Sequence, residues 1–515
     1  MCRVLGFILF MKTFFIVPAT LLLSIYSLSG KIVPDSMFSD NMVLQRDLRV
    51  PVWGTADPGE QVTVSFRSQS KVVKAGKNGR WQVKLDELEL GPSSDLIIGG
   101  KEKITFKNVL VGEVWLGSGQ SNMAGSAGGY AKRDSILQSI IEKGPYSNLR
   151  IYVSGKWEIA DAKTMPRFSA IHLSFGYALQ KELKMPVGLF HGAVGGTPSG
   201  RWLSMEMAMA DKDLSDQFKA SNGYSFSEME SKQATEVAKW EKLVIQAKAE
   251  GKRPPRGPVK LGDLYQSKIE HYVPFAMRGV LWDQGEGKTR IPGVSDQYVV
   301  MNALIKGWRK VWGQGEFPFL HMQKPSGGVS PWNPENPVNR GAKTFNPNKP
   351  STHQTDFSIM SYPLDHIKMG TLPNAPLVTA LDLGTGVHPS CKSGYGRRAS
   401  RVALGVVYGR KGAVCGPVYK SHQVDGQAIR IHFSHTGKGL AFRHADTLEG
   451  FEICGEDGKW EWANAKIENH SVLVSHPAVS NPKFVQYAFN KDPSYANLYN
   501  KDGFPALPFS SSLKK

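Results

Sequence analysis

Alternating apolar and polar residues recur in short runs from Lys31 to about Asn108: Val50 to Trp53, Gln61 to Phe66, Lys71 to Lys74, Trp81 to Leu85 and Ile104 to Phe106. A period of two puts every second side chain on one face, so each run reads as a half-buried β-strand. Asp57-Pro58-Gly59 and Asn78-Gly79 supply turn chemistry between them. The pattern predicts an antiparallel β-sandwich over residues 31–108. From Val109 the texture changes to unbroken apolar runs: Leu110 to Leu116, Val187 to Phe190, Gly279 to Trp282, Pro318 to Met322 and Leu377 to Leu381. Helical spacing, as in Ile171 to Leu183, lies between them. Strands apolar on both faces and separated by helices predict a parallel sheet covered on each side, an α/β domain over 109–410. Within it, Ser227 to Glu250 reads as a polar exposed helix, and Pro325 to Thr355 as a long Pro-, Asn- and Gly-rich loop placed to line a cleft. Alternation returns in Ala428 to Phe433, Leu440 to Phe442, Phe451 to Cys454, Lys459 to Trp462 and Ser471 to Val474, predicting a second β-domain over 411–515.

Met1 to Gly30 stands apart. It is nearly all apolar, has Arg3 and Lys12 as its only charges and ends in small residues, so residues 1–30 read as a secretory signal. Met11 is the favoured start, because the run after Lys12 is complete by itself. This predicts a secreted or periplasmic protein with no stable membrane insertion after cleavage. A hydrophobic fraction of 41% and a charged fraction of 21% exclude wholesale disorder and a multi-span membrane protein. The 63 Lys and Arg outnumber the 45 Asp and Glu, giving a net charge of +18 that attracts acidic partners. Those cations are scattered, with only short clusters such as Arg397-Arg398, and no stripe suited to nucleic acid appears. Beyond the signal, Cys391, Cys415 and Cys454 remain, too few and too widely spaced for a disulfide framework or a zinc site. With no His-Glu-x-x-His or Cys-x-x-Cys, neither a metal nor a cofactor is expected.

The chemistry-bearing residues cluster where the apolar runs end. Gly117-Ser118-Gly119-Gln120-Ser121-Asn122-Met123 follows Val111 to Leu116 and places Ser121 in a sharp turn after a buried strand, where α/β sheets hold ligands and nucleophiles. It is no dinucleotide fingerprint, since Asn122 occupies the third glycine position, and Gly287-Lys288-Thr289 is no phosphate loop, since Trp282 occupies the first. Gly192 to Pro198 ends a second run and brings further backbone N–H groups. Trp282-Asp283-Gln284-Gly285-Glu286 ends a third, where Gln284 can donate to an oxyanion while Glu286 orients a histidine. Asp382-Leu383-Gly384-Thr385-Gly386-Val387-His388-Pro389 closes the last with a loop histidine suited to general-base work. Together the four strand ends supply a nucleophile, oxyanion donors, an acid and a base.

With these residues in view the chain resembles the sialate O-acetylesterases, a branch of the SGNH hydrolases. The resemblance rests on Met37 to Arg46 with Val52-Trp53-Gly54, on Gly112-Glu113-Val114-Trp115-Leu116 leading into Gly119 to Met123, on Gly195-Gly196-Thr197, Gln284-Gly285-Glu286 and His388-Pro389, and on Asn497-Leu498-Tyr499-Asn500 with Gly503 and Pro505. It implies an SGNH-type, flavodoxin-like parallel-sheet catalytic domain flanked by β-sandwich domains. It also implies Ser121 as nucleophile, His388 as base, and oxyanion donors from the Ser121 and Gly196 N–H groups and the Gln284 side chain. Gly195, Gln120 and Asn122 would line the same site. Many SGNH enzymes carry an acid three residues before the histidine; here that position is Thr385. Glu286 is the first choice for the third member, Asp382 the second, and a Ser-His dyad is also viable. Asp283 departs too, because the family usually has an aromatic residue or His there. The implied partner is an O-acetylated glycan, sialic acid or a related sugar, with acetylated xylan as the alternative substrate and an inactive glycan-binding protein as the rival from another class.

Overall fold

The computed structural model of the chain describes residues 32–284, 288–323, 345–346, 348–384, 386–491 and 493–512. The expected signal segment, Glu286, Thr385 and most of the Pro325–Thr355 loop therefore lie outside the described residues.

One strand organises the molecule. β1, Lys103–Gly119, pairs antiparallel with Ser94–Gly99 at its start, takes Val43–Gln45 in parallel at Leu110 to Gly112, and is flanked by parallel strands near its end. It is partly exposed up to Asn108 and fully buried from Val109 onward, where cover passes from one face to both. The expected boundary between 108 and 109 thus marks a change of packing inside a continuous strand, and one apolar cluster holding Leu44, Val52, Phe275 and Trp308 spans it.

The central sheet continues with β2 (Tyr146–Val153), β3 (Lys156–Ala160), β4 (Val187–Ala193), β5 (Gly279–Asp283), β6 (Phe319–Gln323) and β7 (Leu377–Thr379), in spatial order β3-β2-β4-β1-β5-β6-β7. Only β3 is antiparallel to its neighbour in that series. β4 and β5 lie on opposite sides of β1, so the order of the parallel strands reverses there, and open α/β sheets hold ligands outside the strand ends at such a point. The β2–β3 hairpin was not expected, because Ser147, Asn148 and Arg150 interrupt the apolar pattern of β2. Helices α1 (Ala170–Leu183) and α3 (Lys392–Val406) cover one face with Trp115 and Leu281, while α2 (Gln297–Trp312) covers the other with Val280 and Trp282. Alternate residues of the same strands face opposite layers, which is why their runs are apolar without interruption.

Among its described residues the C-terminal region forms two four-stranded sheets and a two-stranded one around Ile429, Ile431, Phe451, Val472 and Val485. Helix Phe226–Ala249 starts with the Ser225–Glu228 capping box and buries Phe226 alone, the exposed insertion its polar pattern predicts. Among the described residues no helix is long and apolar enough to cross a membrane. Among the described residues Cys391, Cys415 and Cys454 form no disulfide.

Candidate active site

β1 ends at Gly119 with φ 123°, and a Cβ there would lie 2.1 Å from the Asp283 carbonyl oxygen. Glycine is therefore required for β1 and β5 to come this close. The Gln120 N–H donates to the same carbonyl at 2.8 Å. Ser121 then opens the helical turn Ser121–Ala124, which Gly125 closes by donating to the Ser121 carbonyl at 2.9 Å. The first N–H groups of such a turn have no partner within it, so they are available to a ligand oxygen.

His388, which is exposed and 267 residues away in sequence, brings Nε2 to 2.9 Å from Ser121 Oγ. Its loop is braced on three sides. Asn122, next to the serine, donates Nδ2 to the Val387 carbonyl at 3.1 Å. Asp382 accepts from Arg398 Nη2 at 3.1 Å and from the Tyr499 hydroxyl at 3.4 Å, while Arg398 Nη1 holds the Thr379 carbonyl at the end of β7 at 2.9 Å. Buried Asp134 receives the Ser393 N–H and hydroxyl, each at 2.8 Å, which pins the start of α3 beyond the loop; desolvation raises its pKa above the usual carboxylate value.

The opposite wall follows β4 and β5. Val194 donates to the Gly119 carbonyl at 3.0 Å, and a Cβ on Gly195 would sit 3.4 Å from that of Ser121. Gly196 has φ 70° and open space around it. Gln284 is buried: its Nε2 donates to the Thr197 carbonyl at 3.3 Å and its Oε1 accepts from Gln297 at 3.0 Å. One of its two amide hydrogens is thus spent on the glycine loop.

Ser121, Asn122, Gly195 and His388 meet at one place, with Gln120 and Gln284 buried beside them. Asp382 stands at the base of the His388 loop, bound to Arg398, and Glu286 lies outside the described residues. Sequence reasoning missed the buried ionic braces, Asp134, Lys392 and Arg398, since no local pattern separates them from surface charges. Lys392 donates to Asn122 Oδ1 at 2.5 Å. Beneath the site His172 and His191 carry ring nitrogens with no hydrogen-bond partner among the described residues; burial pushes both down, His191 to about 4. Among the described residues no group of three His, Cys, Asp or Glu side chains is placed to hold a metal ion.

Residues 111–354 match the family model described as carbohydrate esterase, sialic acid-specific acetylesterase. The sialate O-acetylesterase of Rattus norvegicus is 25% identical over 545 residues, covering 93% of this chain and 94% of its own. The Homo sapiens sialate O-acetylesterase is 25% identical over 426 residues, covering 73% and 71%. In three dimensions a carbohydrate acetylesterase from Xanthomonas citri superposes with a TM-score of 0.72 at 25% identity, covering 94% of this chain and 100% of that one.

Proposed function

The chain is a relative of the sialate O-acetylesterases and a hydrolase of ester bonds, and from that premise we propose that it removes O-acetyl groups from a glycan through an acetyl-enzyme on Ser121. The observation that carries this reading is the 2.9 Å contact between Ser121 Oγ and His388 Nε2 at the β1–β5 crevice. His388 takes the Oγ proton as the serine attacks the acetyl carbonyl, and the N–H groups of Ser121 and Gly196, with the second amide hydrogen of Gln284, receive the oxyanion. Collapse breaks the ester bond, and His388 returns the proton to the departing sugar oxygen. Water then attacks the acetyl-serine with His388 again as base, releasing acetate and restoring the hydroxyl. Glu286 is the proposed orienting acid. Asp382 serves better as a loop anchor, because Arg398 and Tyr499 already engage its Oδ2.

An O-acetylated sialic acid or related acidic sugar is the proposed substrate, supported by the relatives' names and by the +18 charge, with acetylated xylan as the alternative. Export through the Met1–Gly30 segment would place the enzyme outside the cytoplasm, where such glycans are met. Acetate release should be measured for the wild type and Ser121→Ala on an O-acetylated sialic acid, acetylated xylan and a chromogenic acetyl ester. Serine-dependent release from the sialic acid is expected; release unaffected by Ser121→Ala would remove the mechanism, and release from xylan alone would change the substrate.

A further inference from the structure

Lys392 is the first residue of α3 and has no exposed surface. Two physical rules oppose a lysine there. The amino end of a helix carries the positive end of its dipole, which repels a cation. A buried ammonium also loses hydration worth several kcal/mol unless its surroundings replace it. Those surroundings are specific. Asn122 Oδ1 accepts from Nζ at 2.5 Å, and Nζ stands 4.6 Å from the ring centre of Tyr130 and 5.5 Å from that of Tyr395. The buried Asp283 carboxyl lies close enough to those two rings to raise both phenols' pKa, on top of the larger effect of their own burial.

An ammonium group donates and never accepts. It therefore fixes one orientation of the Asn122 amide, oxygen toward Lys392 and Nδ2 toward the Val387 carbonyl 3.1 Å away. Asn122 is adjacent to Ser121 and Val387 is adjacent to His388, so this one side chain ties the backbone of the nucleophile to the backbone of the base. A neutral residue of the same size could fill the pocket without choosing the orientation. We propose that Lys392 is a positioning residue for the Ser121–His388 pair: a buried cation that locks the Asn122 amide and so keeps the turn of the serine and the loop of the histidine in register. The role rests on the serine-esterase reading above, and it accounts for the lysine at a position unfavourable to both helix and hydration.

The test uses the full chain with Lys392→Met, Asn122→Ala, the double variant and Asn122→Asp. Each is assayed for kcat and KM on a chromogenic acetyl ester, for the rate at which a fluorophosphonate labels Ser121, and for melting temperature. Lys392→Met should lower kcat and the labelling rate by about 100-fold, the order of loss from a misplacement of about 1 Å, with KM nearly unchanged. Lys392→Met should add almost nothing in the Asn122→Ala background, because both act through one amide. Asn122→Asp keeps a partner for the ammonium but loses the donor to Val387, and should show the same loss, which carries the test if Lys392→Met does not fold. Wild-type kcat in folded Lys392→Met, full activity in Asn122→Asp, or losses that multiply in the double variant would overturn the proposal. Labelling reads the Ser121–His388 pair directly. If turnover survives Ser121→Ala the esterase reading fails, whereas the labelling rates of the Lys392 and Asn122 variants still decide the positioning role.

Discussion

Glu113 and Gly119 are six residues apart on β1, about 20 Å along an extended strand, and the regions around them use buried charge in opposite ways. Around Glu113 everything is closed. The fully buried carboxylate is held by Arg46 Nε, by Arg278 at 2.7 and 3.2 Å, by the Tyr408 hydroxyl at 2.9 Å and by Gln45 Nε2 at 3.4 Å. Two cations and two neutral donors saturate one anion, and this network clamps the Met37–Arg46 strap and the C-terminal end of α3 to the sheet. Beyond Gly119 the braces are buried but Ser121 and His388, the proposed reacting pair, stand partly or fully exposed. Both regions lie within motifs on which the resemblance was drawn from the sequence. What separates a clamp from a site is whether donors and acceptors are left over for a ligand, and that is visible only once partners are assigned.

This contrast can be broken at either region. The largest effect should come from Ser121→Ala, with kcat reduced by up to about a millionfold and thermal unfolding by calorimetry unchanged. Glu113→Ala should do the reverse: stranding Arg46 and Arg278 costs about 3–5 kcal/mol in urea denaturation, while kcat per folded molecule is preserved. A loss of kcat without loss of stability in Glu113→Ala would dissolve the distinction.

Acid should act on buried imidazoles. His191, in register with Gly117 beneath the site, and His321 on β6 are both held at about 4 by burial, below the ordinary value of 6.5. Between those values the unfolded chain binds the extra protons, so stability is full above about pH 6.5 and falls as pH drops toward 4, by about 3 kcal/mol per histidine at most. Denaturation midpoints across that window should show a shallower slope in His191→Met than in the wild type; an unaltered slope would exclude His191 as a source. The smallest effect is expected from Gly196→Ala. At φ 70° an alanine adds about 1–2 kcal/mol of strain, and displacement of its N–H should cost kcat about tenfold with little change in KM. Unchanged kcat would remove that N–H from the proposed oxyanion donors.

Much of this architecture was legible in advance. Gln61–Phe66, Trp81–Leu85 and Phe451–Cys454 form strands where their alternation places them, and the segments at Val187 and Gly279 where their unbroken apolar runs do, because both patterns are local properties of each run. Tyr146–Val153, one strand in from the sheet edge, and the edge strand Val418–Asp425 were not, since solvent exposure permits polar residues that blur the pattern. The continuity of β1 through Asn108 was also hidden: Ile104 to Phe106 and Leu110 to Leu116 read as separate runs, and pairing with different partners on either side joins them into one strand.

By itself the sequence determined the sheet covered on both faces, the turn that presents Ser121, and the set of loop residues from which the proposed base and oxyanion donors are taken, because strand faces and glycine turns are written within a few neighbouring residues. Tertiary structure alone decided that His388 reaches Ser121, that Asp382 goes to Arg398 and Tyr499, and that Lys392 is buried against Asn122, 270 residues distant in sequence. The physical reason is that the partner of a charge is chosen by whichever packed elements exclude water around it, and no local pattern of residues records that choice.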